Sequence, residues 1–149
     1  MISALFAFLH FFAVFGIFAA LVLQWLTMSP TPTVAEARRI QISDRWYGIF
    51  ALVVLVVGFL RVYFFEKGRA FYGANPFFQA KLALFLAVGL LSIYPTIRYL
   101  KWRARTKQGL APLLAANEYR SIVAVLRVEL VLLLATALCA SLMARGVGS

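Results

Sequence analysis

The feature that most constrains this chain is its first uncharged run, which extends from Ile2 to Met28 and contains one imidazole, His10. About 20 apolar residues in a helix are enough to cross the hydrocarbon of a bilayer, and this run is longer. It has no basic segment before it, and it exceeds the apolar core of a typical signal peptide. We therefore predict a retained transmembrane helix rather than a cleaved leader.

Three more apolar segments follow, and hydrophobic residues make up 64% of the 149-residue chain. A soluble domain of this size could not bury so much apolar surface, whereas helices satisfy their own backbone groups inside a bilayer. No repeat or inter-domain linker divides the sequence. We predict a single all-α domain, residues 1–149, built as an integral membrane four-helix bundle. The predicted spans are roughly 2–26, 47–65, 76–99 and 121–144.

The distribution of the +10 formal charge predicts topology. The linkers after the first and third spans hold nine cations: Arg38, Arg39, Arg45, Arg98, Lys101, Arg103, Arg105, Lys107 and Arg120. The opposite side holds only Lys67, Arg69 and Arg145 outside the spans. The positive-inside rule then puts both termini on the outer side of a bacterial inner membrane. This pattern favours a lipid bilayer as partner over nucleic acid, with the run from Lys101 to Lys107 touching anionic lipid.

Local signals predict where the second and third helices begin. Residues 34–42 carry one weak apolar stripe, which suggests a short helix on the membrane surface. Ser43 or Asp44 would then cap the second helix. Asn75, followed by proline at the first helical position, predicts the start of the third helix, and Pro95 predicts a kink within it.

Five ionisable residues lie at membrane depth, where a charged side chain is energetically costly and often indicates a functional site. They are His10, Arg61, Lys81, Arg127 and Glu129. At 1.5 Å per residue, His10 lies about 12 Å below the outer end of its helix, in the same outer layer as Arg61 and Lys81. Arg127 can snorkel to the inner interface. Glu129 could carry a proton, or could pair with Tyr94 or with another chain.

A histidine in a layer with two cations suits haem b. Neutral imidazole is a good axial ligand for haem iron, and the two propionates need cations or hydrogen-bond donors. We therefore predict His10 as the metal ligand, with Arg61 and Lys81 at the propionates or lining the pocket. The sixth iron position could be empty, or filled by Lys81, by Met28 or Met143, or by a second subunit. A simpler interpretation also holds, in which His10 bonds a neighbouring helix and the two cations snorkel.

Four motifs carry a resemblance to known families: G-x-x-R, E-K-G, F-Y-x-x-N-P-x-F-x-x-K and L-S-x-x-P-T. With the histidine-bearing first helix, they resemble an uncharacterised family of small predicted bacterial membrane proteins over most of the chain. More distantly, the first three helices resemble the non-flavin protoporphyrinogen oxidase and copper-resistance membrane-protein families. His10 and Lys81 match a histidine and a lysine of that oxidase family. The resemblance implies haem b at His10 and an essential basic group at Lys81.

These observations leave three classes of function open. The first is a haem b protein for electron transfer or oxidoreductase chemistry, with an unknown redox partner and a possible homodimer. The second is a small transporter or channel, with His10, Arg61 and Lys81 along an anion path, or His10, Cys139 and Met143 along a copper path. The third is a structural or assembly subunit. Cys139 is the only cysteine, so an intrachain disulfide and a cysteine-rich metal site are excluded.

Overall fold

The computed structural model describes residues 1–65 and 75–147, and Lys67 and Arg69, which were assigned to the outer loop, lie outside these residues. The described residues form four long helices: α1 (Ile2–Thr27), α2 (Val34–Leu60), α3 (Pro76–Lys107) and α4 (Ala116–Ala144). A π-helical segment, Arg61–Phe65, continues α2 without a break. The predicted all-α four-helix architecture is confirmed.

The four helices pack as a ring. Among the described residues, α1 contacts α2 and α4, and α3 contacts α2 and α4, whereas the backbones of the diagonal pairs stay apart. The short connections 28–33 and 108–115 lie at one end of the bundle, which we call the loop end. The other end, the terminal end, is where Asn75 Nδ2 donates to the carbonyl of Val147 over 3.5 Å. Short connections between neighbouring helices give this up-and-down arrangement.

The surface of the bundle is that of a membrane protein. Each helix contains an 18-residue window apolar enough to cross a bilayer, and no more than 22% of any window is buried inside the bundle. Large apolar side chains instead point outward, as at Phe15, Leu26 and Leu90, which are 70–73% exposed. An apolar patch of this extent on a soluble monomer would be an aggregation hazard. The chain is therefore a multi-pass membrane protein.

The start of α2 differs from the sequence prediction. The helix begins at Val34, so residues 34–42 are its first turns and not a separate surface helix. The reason is that the weak apolar stripe faces the bundle, where Ala37 and Ile40 are fully buried. Thr33 caps the helix, because its hydroxyl accepts from the Glu36 backbone N–H over 3.2 Å, and the Glu36 carboxylate accepts from the Thr33 backbone N–H over 2.7 Å.

The two residues proposed as caps of α2 therefore have other partners. The Ser43 hydroxyl donates to the carbonyl of Ala20 on α1 over 2.7 Å, and Asp44 bonds α3. At α3, by contrast, the predicted cap is confirmed. The side-chain oxygen of Asn75 accepts from the backbone N–H groups of the second and third helical residues, and a proline follows directly.

The contact between α1 and α2 is close at Gly16. A Cβ atom built on Gly16 would lie 2.5 Å from Cδ2 of Phe50, a distance that real side chains do not tolerate. The Phe50 ring is also held edge-on by Phe12 and stacked by Trp46. The absence of a side chain at Gly16 thus lets an aromatic ring of α2 lie against the α1 backbone.

We expect Gly16→Ala to destabilise the bundle by roughly 1–3 kcal/mol, the usual range for overpacking a filled interface. The added methyl must displace the Phe50 ring, which two other rings hold in place. Gly48→Ala is the matched control, since a Cβ atom there meets nothing within 4 Å. Thermal unfolding in detergent measures the difference. Equal midpoints for the two variants would contradict the close contact.

Candidate functional site

His10 lies in the terminal half of the bundle, at the interface between α1 and α2. Its side chain is half-buried and packs on Gly58, where an added Cβ atom would lie 3.2 Å from Cε1 and 3.6 Å from Nδ1 of the imidazole. A methyl group at position 58 would therefore press on the ring edge, which would have to shift by a few tenths of an ångström. The glycine forms a cradle that sets the position of the only histidine in the chain.

Arg61 reaches the same helix interface one turn after Gly58. It is the first residue of the π-helical segment, and its Cζ atom lies 5.9 Å from the ring centroid of Phe11, the neighbour of His10. Single π-helical turns within α-helices occur frequently at functional sites. The fold thus brings two of the three predicted site residues to one layer. We call His10, Gly58 and Arg61 the histidine layer.

Lys81 belongs to another pair of helices. It is half-buried near the start of α3, and its Nζ atom lies 5.2 Å from the ring centroid of Phe78, one turn earlier in the same helix. Within residues 1–65 and 75–147, α3 packs on α2 and α4 but not on α1. Lys81 therefore shares the terminal end with His10 without sharing its interface.

A second group of polar side chains lies in the loop half, between α2 and α3. Hydrogen bonds cross this interface from Thr96 Oγ1 to Asp44 Oδ1 (2.8 Å), from Gln41 Nε2 to the Tyr99 carbonyl (3.0 Å) and from Arg38 to the Thr106 carbonyl (2.9 Å). The Thr106 hydroxyl also donates to Oε1 of Gln41 over 3.3 Å. We call these bonds the polar ladder. They join α2 to α3 in the loop half of the bundle.

Glu129 is the most deeply buried acid of the described residues, at 1% exposed. Its Oε1 atom, like the hydroxyl of Tyr99, finds no hydrogen-bond partner among those residues. Tyr47, Tyr99 and Asp44 are its electrostatic neighbours. Tyr94, which was proposed as a partner, instead lies beneath the guanidinium of Arg98 at 5.3 Å. An ionised carboxylate in this position needs a counter-charge or several hydrogen-bond donors.

The remaining candidates from the sequence lie apart from these groups. Arg127 is exposed, with its Cζ atom 6.0 Å from the Trp25 ring centroid. Cys139 is half-buried on α4. In the described part of the chain, no three or more His, Cys, Asp or Glu residues come together in a way that could hold a metal ion.

Comparison with known proteins supports the architecture. A family described as "Predicted membrane protein (DUF2214)" matches residues 2–148, nearly the whole chain. This chain is a member of the DUF2214 family. Among curated proteins and solved structures, none matches it significantly. Membership in the DUF2214 family agrees with the four apolar helices and carries no activity with it.

The sequence of this DUF2214 protein did not predict the polar ladder. Gln41 and Asp44 were assigned to a surface segment and a helix cap, which separated them from α3. One signal could have found them, since Gln41, Asp44 and Thr96 are hydrogen-bonding residues at positions where a lipid-facing helix would carry apolar ones. Their partners depend on how α2 and α3 are rotated, which the sequence does not give directly.

Thr96→Val should destabilise the protein by about 1–3 kcal/mol, because the part-buried carboxylate of Asp44 loses its hydroxyl donor while the side-chain shape is kept. Thr136→Val is the matched control, since Thr136 bonds only the Leu132 carbonyl of its own helix. The measurement is thermal unfolding of the two variants beside the wild type. If Thr96→Val lowered the stability no more than Thr136→Val does, the polar ladder would not contribute to stability as we expect.

Proposed function

We propose that this protein binds haem b and carries out electron transfer or oxidoreductase chemistry in the bacterial inner membrane. The observation that carries the proposal is the contact of His10 with Gly58, which holds one edge of a single intramembrane imidazole against α2. Such a contact orients the ring, and an oriented imidazole is what axial ligation of haem iron requires.

The residues around His10 fit a haem. Arg61 supplies a cation in the same layer for a propionate, and Lys81 supplies a second cation at the terminal end. Phe11 and Phe59, which are 57% and 50% exposed, offer flat apolar surface beside the histidine. When bound, haem supplies one-electron chemistry. The part of this chain is to hold the iron, pair the propionates and exclude water from the porphyrin faces.

The proposal includes an orientation for the bundle. The cations of α2 and α3 cluster at the loop end, which therefore faces the cytoplasm under the positive-inside rule. The terminal end, with His10 and both termini, then lies in the outer half of the membrane. A homodimer would bring a second copy of the exposed aromatic face of α1 to the haem, and could supply the sixth ligand.

The absorption spectrum of protein purified from haem-replete cells tests the proposal. We expect an intense Soret band in the wild type and its loss in His10→Ala, because the iron loses its ligand. Gly58→Ala should retain haem but shift the band or the reduction potential, since the methyl displaces the imidazole. Gly89→Ala, where a Cβ atom meets nothing within 4 Å, is the matched control. A colourless wild type, or a band that survives His10→Ala unchanged, would overturn the proposal.

Proton-coupled transport of an anion is a second candidate, which one observation favours. Glu129 is buried without a hydrogen bond to its Oε1 atom in the described residues, and intramembrane carboxyl groups of this kind act in proton relays. Asp44 and Tyr47 would extend the relay toward the loop end. The cations Arg61 and Lys81 would then meet the anion at the terminal end.

Flux into proteoliposomes under a proton gradient distinguishes this candidate. Glu129→Gln keeps the shape of the side chain and removes the exchangeable charge, so we expect proton-driven uptake of the anion to fall at least tenfold. Glu118→Gln removes an acid that pairs with Arg98 at the bundle surface over 3.8 Å, and it should leave uptake unchanged. Equal uptake by the wild type and the Glu129→Gln variant would exclude a proton-carrying role.

A further inference from the structure

A groove lies between α2 and α3 at the loop end, and the role that we propose for it does not depend on haem. It consists of two adjoining cavities of about 290 Å³ and about 360 Å³. Both are lined by the same four residues, Arg38, Gln41, Arg45 and Arg103. The larger cavity adds Thr106 and Lys107. We call these six residues the basic groove.

The cations of the basic groove have no ion-pair partner among the acids that the structure describes. Arg38, Arg45, Arg103 and Lys107 form no ion pair within residues 1–65 and 75–147. Asp44 lines the smaller cavity and accepts from Thr96 through Oδ1, and its single negative charge is outnumbered by the four cations. Four cations around one groove repel each other and attract an anion. The groove is therefore electrostatically prepared for a group that carries negative charge.

The floor of the basic groove is fixed. Thr106 is 3% exposed, and its carbonyl accepts one of the five N–H donors of Arg38 over 2.9 Å, which holds the guanidinium in place. Gln41 is fixed between Thr106 and the Tyr99 carbonyl. The polar ladder thus orders the groove before any ligand binds, and this lowers the entropy cost of binding.

The surroundings of the groove favour a lipid over a free anion. Ile42 and Leu100 line the smaller cavity and are 54% and 51% exposed, so apolar surface begins directly at the edge of the cationic site. Trp46, next to Arg45, is 51% exposed, as is typical of a residue at headgroup depth. A ligand with a phosphate at one end and hydrocarbon at the other matches this change from charge to apolar surface.

We propose that the basic groove binds the phosphate of an anionic phospholipid in the leaflet at the loop end, with its acyl chains along Ile42 and Leu100. Arginine guanidinium groups bind phosphate oxygens through paired hydrogen bonds. The lipid bridges α2 and α3 beside the polar ladder, so bound lipid also holds the two helices together.

The test measures the Kd of full-length protein in a neutral detergent for short-chain phosphatidylglycerol, short-chain phosphatidylcholine and inorganic phosphate. The groove variant is Arg45→Gln with Arg103→Gln, which leaves the bonded Arg38 intact. The matched control, Arg39→Gln with Arg120→Gln, removes the same charge from exposed positions outside the groove. A third variant, Arg45→Lys with Arg103→Lys, keeps the charge and separates binding from a failure to fold.

We expect phosphatidylglycerol to bind the wild type more tightly than phosphatidylcholine. The groove variant should lose roughly thirty-fold in affinity, as follows from about 1 kcal/mol per removed cation. The control should lose less than about threefold, and the lysine variant, which keeps the charge but not the paired hydrogen bonds, should lose less than the groove variant. Equal losses in the groove variant and the control would overturn the proposal, because a diffuse surface charge would then explain binding. Inorganic phosphate that binds as tightly as phosphatidylglycerol would overturn the assignment to a lipid.

Discussion

The close packing of α1 against α2 is the contact on which the rest of the structure depends. Two glycines on opposite helices make it possible, since Gly16 receives the Phe50 ring of α2 and Gly58 receives the His10 ring of α1. In a membrane, helices gain nothing from burying apolar surface against each other, so close backbone approach and fitted side chains hold them together. The same packing that stabilises this pair therefore also sets the position of the imidazole.

In the loop half of the bundle, polar contacts also hold the helices together. Hydrogen bonds from α2 reach both α1, through Ser43, and α3, through the polar ladder. These bonds require donors and acceptors that would be costly if they faced lipid, so their burial fixes the rotation of α2. The bundle thus contains a terminal half with the histidine layer, and a loop half that combines most of the buried core, such as Ile17, Ile40 and Leu126, with Glu129 and the basic groove.

The sequence predicted the helices well because the signals for them are local. Long uncharged runs fix the spans, and the Asn75 cap depends on neighbouring residues only. The start of α2 was wrong because a weak apolar stripe fits a membrane surface as well as a bundle, and only the burial of Ile40 decides between them.

The arrangement of the candidate residues was predicted in part, for a related reason. Depth along a helix can be counted, so His10, Arg61 and Lys81 were assigned to one layer. Which helices pack against each other cannot be derived by counting residues along the sequence. The contact of His10 with Gly58 and the placement of Lys81 away from α1 were therefore not predicted. The π-helical turn at Arg61 and the bonds of Gln41 likewise depend on tertiary contacts rather than on local propensity.

The central claim is that His10 holds haem, and the haem content per polypeptide tests it most directly. The pyridine haemochrome of wild-type protein, purified from cells grown with ample haem, gives this ratio independently of the ligation state of the iron. The account predicts about one haem b per chain in the wild type and close to none in His10→Ala. A ratio near zero in the wild type, or equal ratios in the two proteins, would contradict it.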